Sequence, residues 1–313
     1  METAETALPR KPPRGWALLL CLLYAGAVAV GLTQILRKGE RPWLGRAKQP
    51  VVAVISINGV ISSSNRGLQP TDTLMKRLKS LSERDDVKAV VLRINSPGGS
   101  VGAVQELYEE IVRLRKSGKK VVASISDIAA SGGYYLASAS DKIYAEPGSL
   151  TGSIGVILEV GNVQELLKKI GMKMEAVKSA EHKDIASPFR TMTEEERNIL
   201  KSIVDDAYGQ FLQAVCDGRH MDRQKLLPLA DGRVFTGAQA KANGLVDELG
   251  NGEDAIAKAA QLAGIKGKPK VIYAEDPLEK FFSAFSEDSR VKFWEETASR
   301  SGVRLAYLWE CAL

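Results

Sequence analysis

Residues 87–114 read VKAVVLRINSPGGSVGAVQELYEEIVRL, and the change of period inside this stretch decides the fold. Val87–Ile94 is a nearly continuous apolar run, as fits a strand buried on both faces. From Ser100 onward the apolar residues Val101, Val104, Leu107, Ile111 and Leu114 fall at spacings of three and four. That is one face of a helix, with Ser100 placed to cap it. Asn95–Gly99 joins strand to helix. Upstream, Val51–Ile61 is a β-branched run broken at Asn58-Gly59, and Asp72–Leu81 reads as a helix. Downstream, strands are expected at Val121–Ser126, Lys142–Ala145 and Ile154–Val160, and helices at Ser131–Ala139 and Val163–Ile170. Thr193 and Glu196 form a capping box that opens a long helix with Leu200, Ile203, Val204, Ala207, Phe211 and Val215 on one face. Strand and helix alternate throughout, so the expected class is α/β with a parallel, helix-covered sheet.

Composition removes several function classes. The 313 residues are 44% hydrophobic and 26% charged, ordinary for a globular chain. Cys21, Cys216 and Cys311 lie far apart, which excludes a disulfide framework and a CxxC metal site. With His182 and His220 the only histidines, a multi-histidine metal centre is not expected. Most of the net charge of +5 sits in one place, +4 in residues 37–48 with +1 in residues 1–36. Arg37, Lys38, Arg41, Arg46 and Lys48 face only Glu40 in residues 37–48, whereas acids and bases balance from residue 49 on. No nucleic-acid-binding face is expected from this pattern. Anionic lipid headgroups are the natural partner of such a cluster.

The basic cluster follows a run without charge, WALLLCLLYAGAVAVGLTQIL, from Trp16 to Leu36. Its 21 residues can cross a bilayer as a helix, with Trp16 and Trp43 as interfacial anchors. A cleaved signal peptide is the alternative, with Ala25-Gly26-Ala27 as its processing site; the run continues well past that point and favours an anchor. Three basic residues precede the span and five follow it, which by the positive-inside rule places the body on the cytoplasmic side. The expected organisation is a tail (1–15), a transmembrane anchor (16–36), a basic linker (37–48), a body (49–273) and an aromatic-rich tail (274–313). The last segment holds seven of the 19 aromatic residues, which suits either an amphipathic helix packed on the body or a tail docking on another subunit or on lipid.

Four stretches can carry chemistry. Asn95-Ser96-Pro97-Gly98-Gly99-Ser100 puts two glycines at a helix start, where exposed N–H groups and the helix dipole can stabilise an oxyanion. Its plain alternative is a strand-to-helix turn. Ala129-Ala130-Ser131-Gly132-Gly133-Tyr134 offers a hydroxyl flanked by small residues, open to an incoming carbonyl; alone, it reads equally as an N-cap. Lys178–Asp184 is a polar stretch in which Lys183, turned inward, can serve as a general base; a lysine does so only when neutral, which burial away from carboxylates favours. Asp184 must then point elsewhere. In Gly148–Gly155 the hydroxyls of Ser149, Thr151 and Ser153 can orient an amine, or simply form a turn. Thr151 stands where a G-x-S-x-G elbow needs glycine, so that motif is absent.

Taken together, from about Val51 to Ile265, these stretches resemble the short form of the SppA-type signal peptide peptidase family. The resemblance includes Asp231–Gly237 (DGRVFTG) and Gly244–Asp247 (GLVD). It implies a Clp protease/crotonase-like fold, a repeated β-β-α spiral, and a serine–lysine dyad. Residue by residue, Ser131 matches the nucleophile, Lys183 the general base, Gly98 the oxyanion-hole glycine, and Ser153 a hydroxyl that helps hold the lysine. It also implies no cofactor, a single-pass cell-membrane anchor with the body on the extracytoplasmic side, against the charge bias above, and a homo-oligomeric ring. The implied substrates are remnant signal peptides and other unfolded, membrane-proximal polypeptides. Rival readings are a Ser-His-Asp protease using His182, a non-catalytic membrane-anchored scaffold of the same fold, and a crotonase-like acyl-CoA enzyme.

Overall fold

The computed structural model describes residues 26, 49–63, 71–274 and 305–308, the last as backbone. The expected anchor at 16–36, apart from Gly26, the linker at 37–48 and most of the tail after 274 lie outside the described residues. Among the described residues no helix is long and apolar enough to cross a membrane.

In chain order the elements are β1 (Val51–Asn58), α1 (Thr71–Ser82), β2 (Val87–Ser96), β3 (Gly98–Ser100), α2 (Val101–Lys116), β4 (Lys120–Ala130), α3 (Gly132–Ser138), β5 (Lys142–Ala145), β6 (Leu150–Gly152) and β7 (Ile157–Leu158). There follow α4 (Gln164–Lys169), a 3-10 turn (Glu181–Asp184), α5 (Glu194–Arg219), α6 (Arg223–Leu226), β8 (Val234–Thr236), α7 (Gly237–Ala242), β9 (Glu248–Leu249), α8 (Gly252–Leu262), β10 (Lys270–Tyr273) and β11 (Leu305–Leu308).

The main sheet runs β10-β1-β2-β4-β5-β9 with every pair parallel. β6 adds to the end of β4 in parallel, and β8 pairs antiparallel with β6, which makes the sheet mixed. A second sheet of three strands, β3-β11-β7, is antiparallel.

Both faces of the central strands are covered, which is why their sequences are mostly apolar. One face packs Ala53, Ile55, Leu92 and Ile94 against Leu78 of α1, Leu107 and Ile111 of α2 and Phe211 of α5. The other packs Val52, Val54, Ala89, Val91 and Val122 under Ala255, Ile256 and Ala259 of α8.

Three local expectations change. β4 does not end at Ser126 but runs to Ala130: after Ile125 its partner on one side shifts, and Ile128–Ala130 find a new partner in Leu150–Gly152. The polar residues that suggested an end, Ser126 and Asp127, are satisfied across strands by Arg93 Nε (3.2 Å) and Asn95 Nδ2 (3.2 Å). The strand expected over Ile154–Val160 shrinks to Ile157–Leu158, paired with β11 and not with the main sheet. Ser100 does occupy the N-cap of α2, but its side chain makes no capping bond. The capping box at Thr193 and Glu196 forms with both reciprocal bonds present.

Candidate active site

Ser131 lies where β4 stops and α3 starts. Small residues make that junction possible. A Cβ on Gly133 would stand 2.7 Å from the carbonyl oxygen of Ser96, so only glycine lets the first turn of α3 close onto β2. Ser131 itself has φ 51° and ψ −116°, a conformation costly for a residue with a side chain. Its N–H donates to Gly152 O (2.8 Å), and its carbonyl accepts from Tyr135 N–H (2.9 Å). The hydroxyl does not cap the helix and engages no hydrogen-bond partner among the described residues. The N-cap reading of this serine is therefore half right: the position is the cap, the bond is not made. Ser131 is thus held at positive φ on a strand-to-helix turn, 1% exposed, with its hydroxyl unengaged among the described residues.

Ser153 sits beside it on the neighbouring strand end. The pairing of Ala130 with Gly152 sets the two serines side by side, and Ser153 also has positive φ, 48°. Its N–H donates to Arg233 O (2.8 Å). The other hydroxyls of this turn are spent on β4: Thr151 Oγ1 donates to Ala129 O (2.7 Å) and Ser149 Oγ to Ser126 O. Ser153 is the one whose hydroxyl engages nothing among the described residues.

The DGRVFTG and GLVD stretches serve this corner structurally. Phe235 packs on the backbone of Gly152, where a Cβ would come within 2.6 Å of its ring. Asp247 accepts from Ile143 N–H (2.8 Å) and pairs with Lys142 and Arg219, and Leu245 O accepts from the buried Tyr134 hydroxyl (2.8 Å). Burial pushes the Tyr134 phenol above its ordinary range, and the Asp247 carboxyl is held below its own by Arg219 and Lys142 against the opposing effect of burial.

Gly98 faces the same end of the sheet, as the register of Ser96 with Ala129 requires. It is buried, with φ 106°, and its carbonyl accepts from Ile61 N–H (2.8 Å). Its own N–H, the expected oxyanion donor, donates to Ser96 Oγ (3.1 Å). The Ser96 hydroxyl in turn donates to Gly59 O (2.6 Å). Ser96 stands in the glycine motif with no part assigned to it from sequence; its signal there is a hydroxyl two residues before a glycine N–H, a familiar local pairing.

Lys183 stands apart from these residues. It lies on the 3-10 turn and is exposed, so the expected burial is not found in the single chain. No hydrogen bond or ion pair joins it to Ser131 among the described residues. Asp184 does point elsewhere, as the base reading demanded: its carboxylate takes Lys178 Nζ (2.6 Å) and a two-pronged contact from Arg190 (2.8 Å each). Arg190 then reaches the buried Glu196 with both terminal nitrogens. These contacts hold the Asp184 carboxyl well below the usual carboxylate range, Arg190 contributing most and Lys178 next, and lower Glu196 to about 2, again mainly through Arg190. Nothing in the sequence marked Arg190. His182 turns its Nε2 to Glu195 (3.6 Å), and no contact with Ser131 supports a histidine-based site.

A helix-covered α/β sheet with a strained serine and a glycine loop at one end fits the Clp protease class, and comparison with known proteins gives the family. The Clp protease model matches residues 51–151 and the model of peptidase family S49 matches residues 113–266. A Synechocystis sp. protein named as a protease is 43% identical over 227 residues, 72% of this chain and 79% of that one. The protein named signal peptide peptidase SppA in Enterococcus faecium is 38% identical over 270 residues, 84% of this chain and 78% of that one. Protease 4 of Salmonella typhi is 37% identical over 228 residues, 72% of this chain but 37% of the longer protein. The chain belongs to peptidase family S49, among the SppA-type signal peptide peptidases.

Proposed function

We propose that this protein is a membrane-anchored endopeptidase that hydrolyses remnant signal peptides and other membrane-proximal polypeptides through an acyl-enzyme. Neutral Lys183 takes the Ser131 hydroxyl proton as Oγ attacks the scissile carbonyl. The Gly98 N–H stabilises the resulting oxyanion. Lys183 passes the proton to the departing amine, which breaks the C–N bond, and then activates the water that frees the carboxylate and restores Ser131. Ser153 steadies the lysine. The observation that carries the reading is Ser131, 1% exposed and at φ 51°, whose hydroxyl bonds to nothing among the described residues at a helix start where serine ordinarily caps.

Two further observations support parts of it. β11 lies antiparallel to β3, with Leu308 opposite Gly98, so an extended polypeptide can run along the edge that begins at the oxyanion glycine. Lys183 is exposed on a segment that also exposes Leu166, Ile170, Met172, Met174, Val177 and Phe189. A homo-oligomeric ring that covers these apolar side chains would bury the lysine as well. The anchor at Trp16–Leu36 and an extracytoplasmic body remain part of the proposal.

The test is labelling of the full-length protein in detergent with a serine-directed fluorophosphonate. The expected result is one label per chain, on Ser131, absent from Ser131→Ala and strongly slowed in Lys183→Ala. Labelling that survives Ser131→Ala, or none at all from neutral to strongly basic pH, refutes the reading, and the latter outcome favours a non-catalytic scaffold.

A further inference from the structure

We propose that Ser96 is the positioning residue of this site, its hydroxyl fixing the direction of the Gly98 N–H. The inference rests on the reading of Gly98 as the oxyanion donor. Ser96 is the last residue of β2 and is fully buried. It touches three parts of the site. Its register partner Ala129 is two residues before Ser131, its carbonyl oxygen lies against Gly133, and its hydroxyl sits between Gly59 O and Gly98 N–H.

A hydroxyl has one proton to give and two lone pairs to offer. Here the proton goes to Gly59 O at 2.6 Å, so the rotor is locked and the lone pairs are turned to Gly98. Gly59 is itself held, its N–H donating to Asn95 O at 2.8 Å. The acceptor is thus fixed to the sheet. Pro97, between Ser96 and Gly98, has no N–H, so it adds no donor that could compete for the Ser96 hydroxyl.

The contact to Gly98 is long, 3.1 Å, and its acceptor is neutral. A negative oxygen forms a shorter bond about twice as strong. The N–H is therefore kept on a weak, neutral acceptor in the free enzyme, and exchanges it for the stronger, negative one when an oxyanion forms. Remove the hydroxyl and a buried N–H has no acceptor, on a glycine that tolerates the opposite peptide orientation as well.

The experiment measures kcat and KM of the full-length protein on a quenched peptide substrate, with inhibition by a peptide aldehyde and by the matching alcohol. The aldehyde adds to Ser131 and places an oxyanion at Gly98; the alcohol does not. Ser96→Ala should lower kcat by ~10- to 100-fold with KM within about twofold, and weaken the aldehyde by the same factor but not the alcohol. Ser96→Cys, similar in shape with a weak sulfur donor and acceptor, should fall between. Thermal unfolding of each variant confirms that the assay temperature lies below its transition. Activity of Ser96→Ala within twofold of wild type, or a loss of kcat that leaves aldehyde affinity unchanged, overturns the proposal. If the wild-type protein binds aldehyde and alcohol equally, the oxyanion reading itself fails, and this result does not depend on Ser96.

Discussion

Lys178 Nζ lies 2.6 Å from Asp184 Oδ1, and this pairing decides which lysine of the segment carries no carboxylate. Five residues on, Lys183 has no ion pair among the described residues, although Asp184 is its neighbour in sequence. A base must give up its proton, and an adjacent carboxylate would hold that proton on. The two lysines should therefore respond oppositely to the same substitution. Lys183→Ala should cost at least ~10³-fold in kcat, as loss of a member of a catalytic unit does. Lys178→Ala should stay within ~5-fold, since Arg190 still holds Asp184, and surface pairs contribute little. His182→Ala should also retain activity. Steady-state assays of the three variants decide; a Lys183→Ala enzyme as active as Lys178→Ala would remove the base assignment.

Arg190 ties Asp184, on the turn that carries Lys183, to Glu196 in the first turn of α5. Both carboxyls have folded values below their ordinary 3.8 and 4.5, so their stabilising contribution is complete above that range and is lost as pH falls toward about 2. The turn should loosen in acid over that window, before the sheet does. Hydrogen exchange of residues 181–190 as a function of pH measures this. Arg190→Gln should bring the fast-exchanging state to neutral pH with the core amides unchanged; equal protection in both proteins would show that the tie does not hold the segment.

Much of the fold could be read from period alone, because a strand buried on both faces and an amphipathic helix leave unmistakable patterns at Val87–Ile94 and Val101–Leu114. The extension of β4 past Ser126 could not, since Asp127 looks like a terminator until Asn95 is known to face it. At the site, the stretches around Gly98, Ser131 and Ser153 stood out because small residues cluster where backbones approach closely, while the roles proposed for them came from the family resemblance. Ser96 and Arg190 did not stand out. Their roles arise from partners 37 residues away in one case and from a bridge between a loop and a helix in the other. The inward turn expected of Lys183 failed for a related reason: what covers a side chain is decided by surfaces that a linear pattern does not bring together.

The strain at Ser131 should be measurable apart from activity. Positive φ at a non-glycine residue costs of order 1–3 kcal/mol, and glycine removes that cost while adding about 0.5–1 kcal/mol of chain entropy. Both Ser131→Ala and Ser131→Gly should be inactive, yet the glycine variant should be the more stable by about 1 kcal/mol. Denaturant titrations of the pair provide the comparison. An alanine variant equal to or more stable than the glycine variant would mean the turn is not strained.

Gly99 and Gly102 make a second contrast within one motif. A Cβ on Gly99 would lie 1.8 Å from Ile61 O, while one on Gly102 meets nothing within 4 Å. Gly99→Ala must push β3 off the Gly59–Ile61 segment, at a cost of about 3 kcal/mol or more, and should abolish activity through the displaced Gly98. Gly102→Ala, inside α2, should be neutral or stabilising by up to about 1 kcal/mol with activity kept. Melting and activity of the two variants check both halves.

The last relationship concerns competition. β11 uses the antiparallel edge of β3, pairing Ala306 with Ser100, Tyr307 with Gly99 and Leu308 with Gly98, and it pairs with β7 on its other side. An extended substrate that approaches the oxyanion glycine along the same edge needs those backbone groups, and two strands cannot hold one edge at once. A chain ending at residue 304 should therefore bind peptide substrates more tightly, seen as a lower KM with kcat little changed. A synthetic peptide of residues 303–308 (VRLAYL) should inhibit the shortened enzyme competitively and the full-length enzyme less. Unchanged KM on truncation, together with no inhibition by the peptide, would place the substrate strand on a different edge.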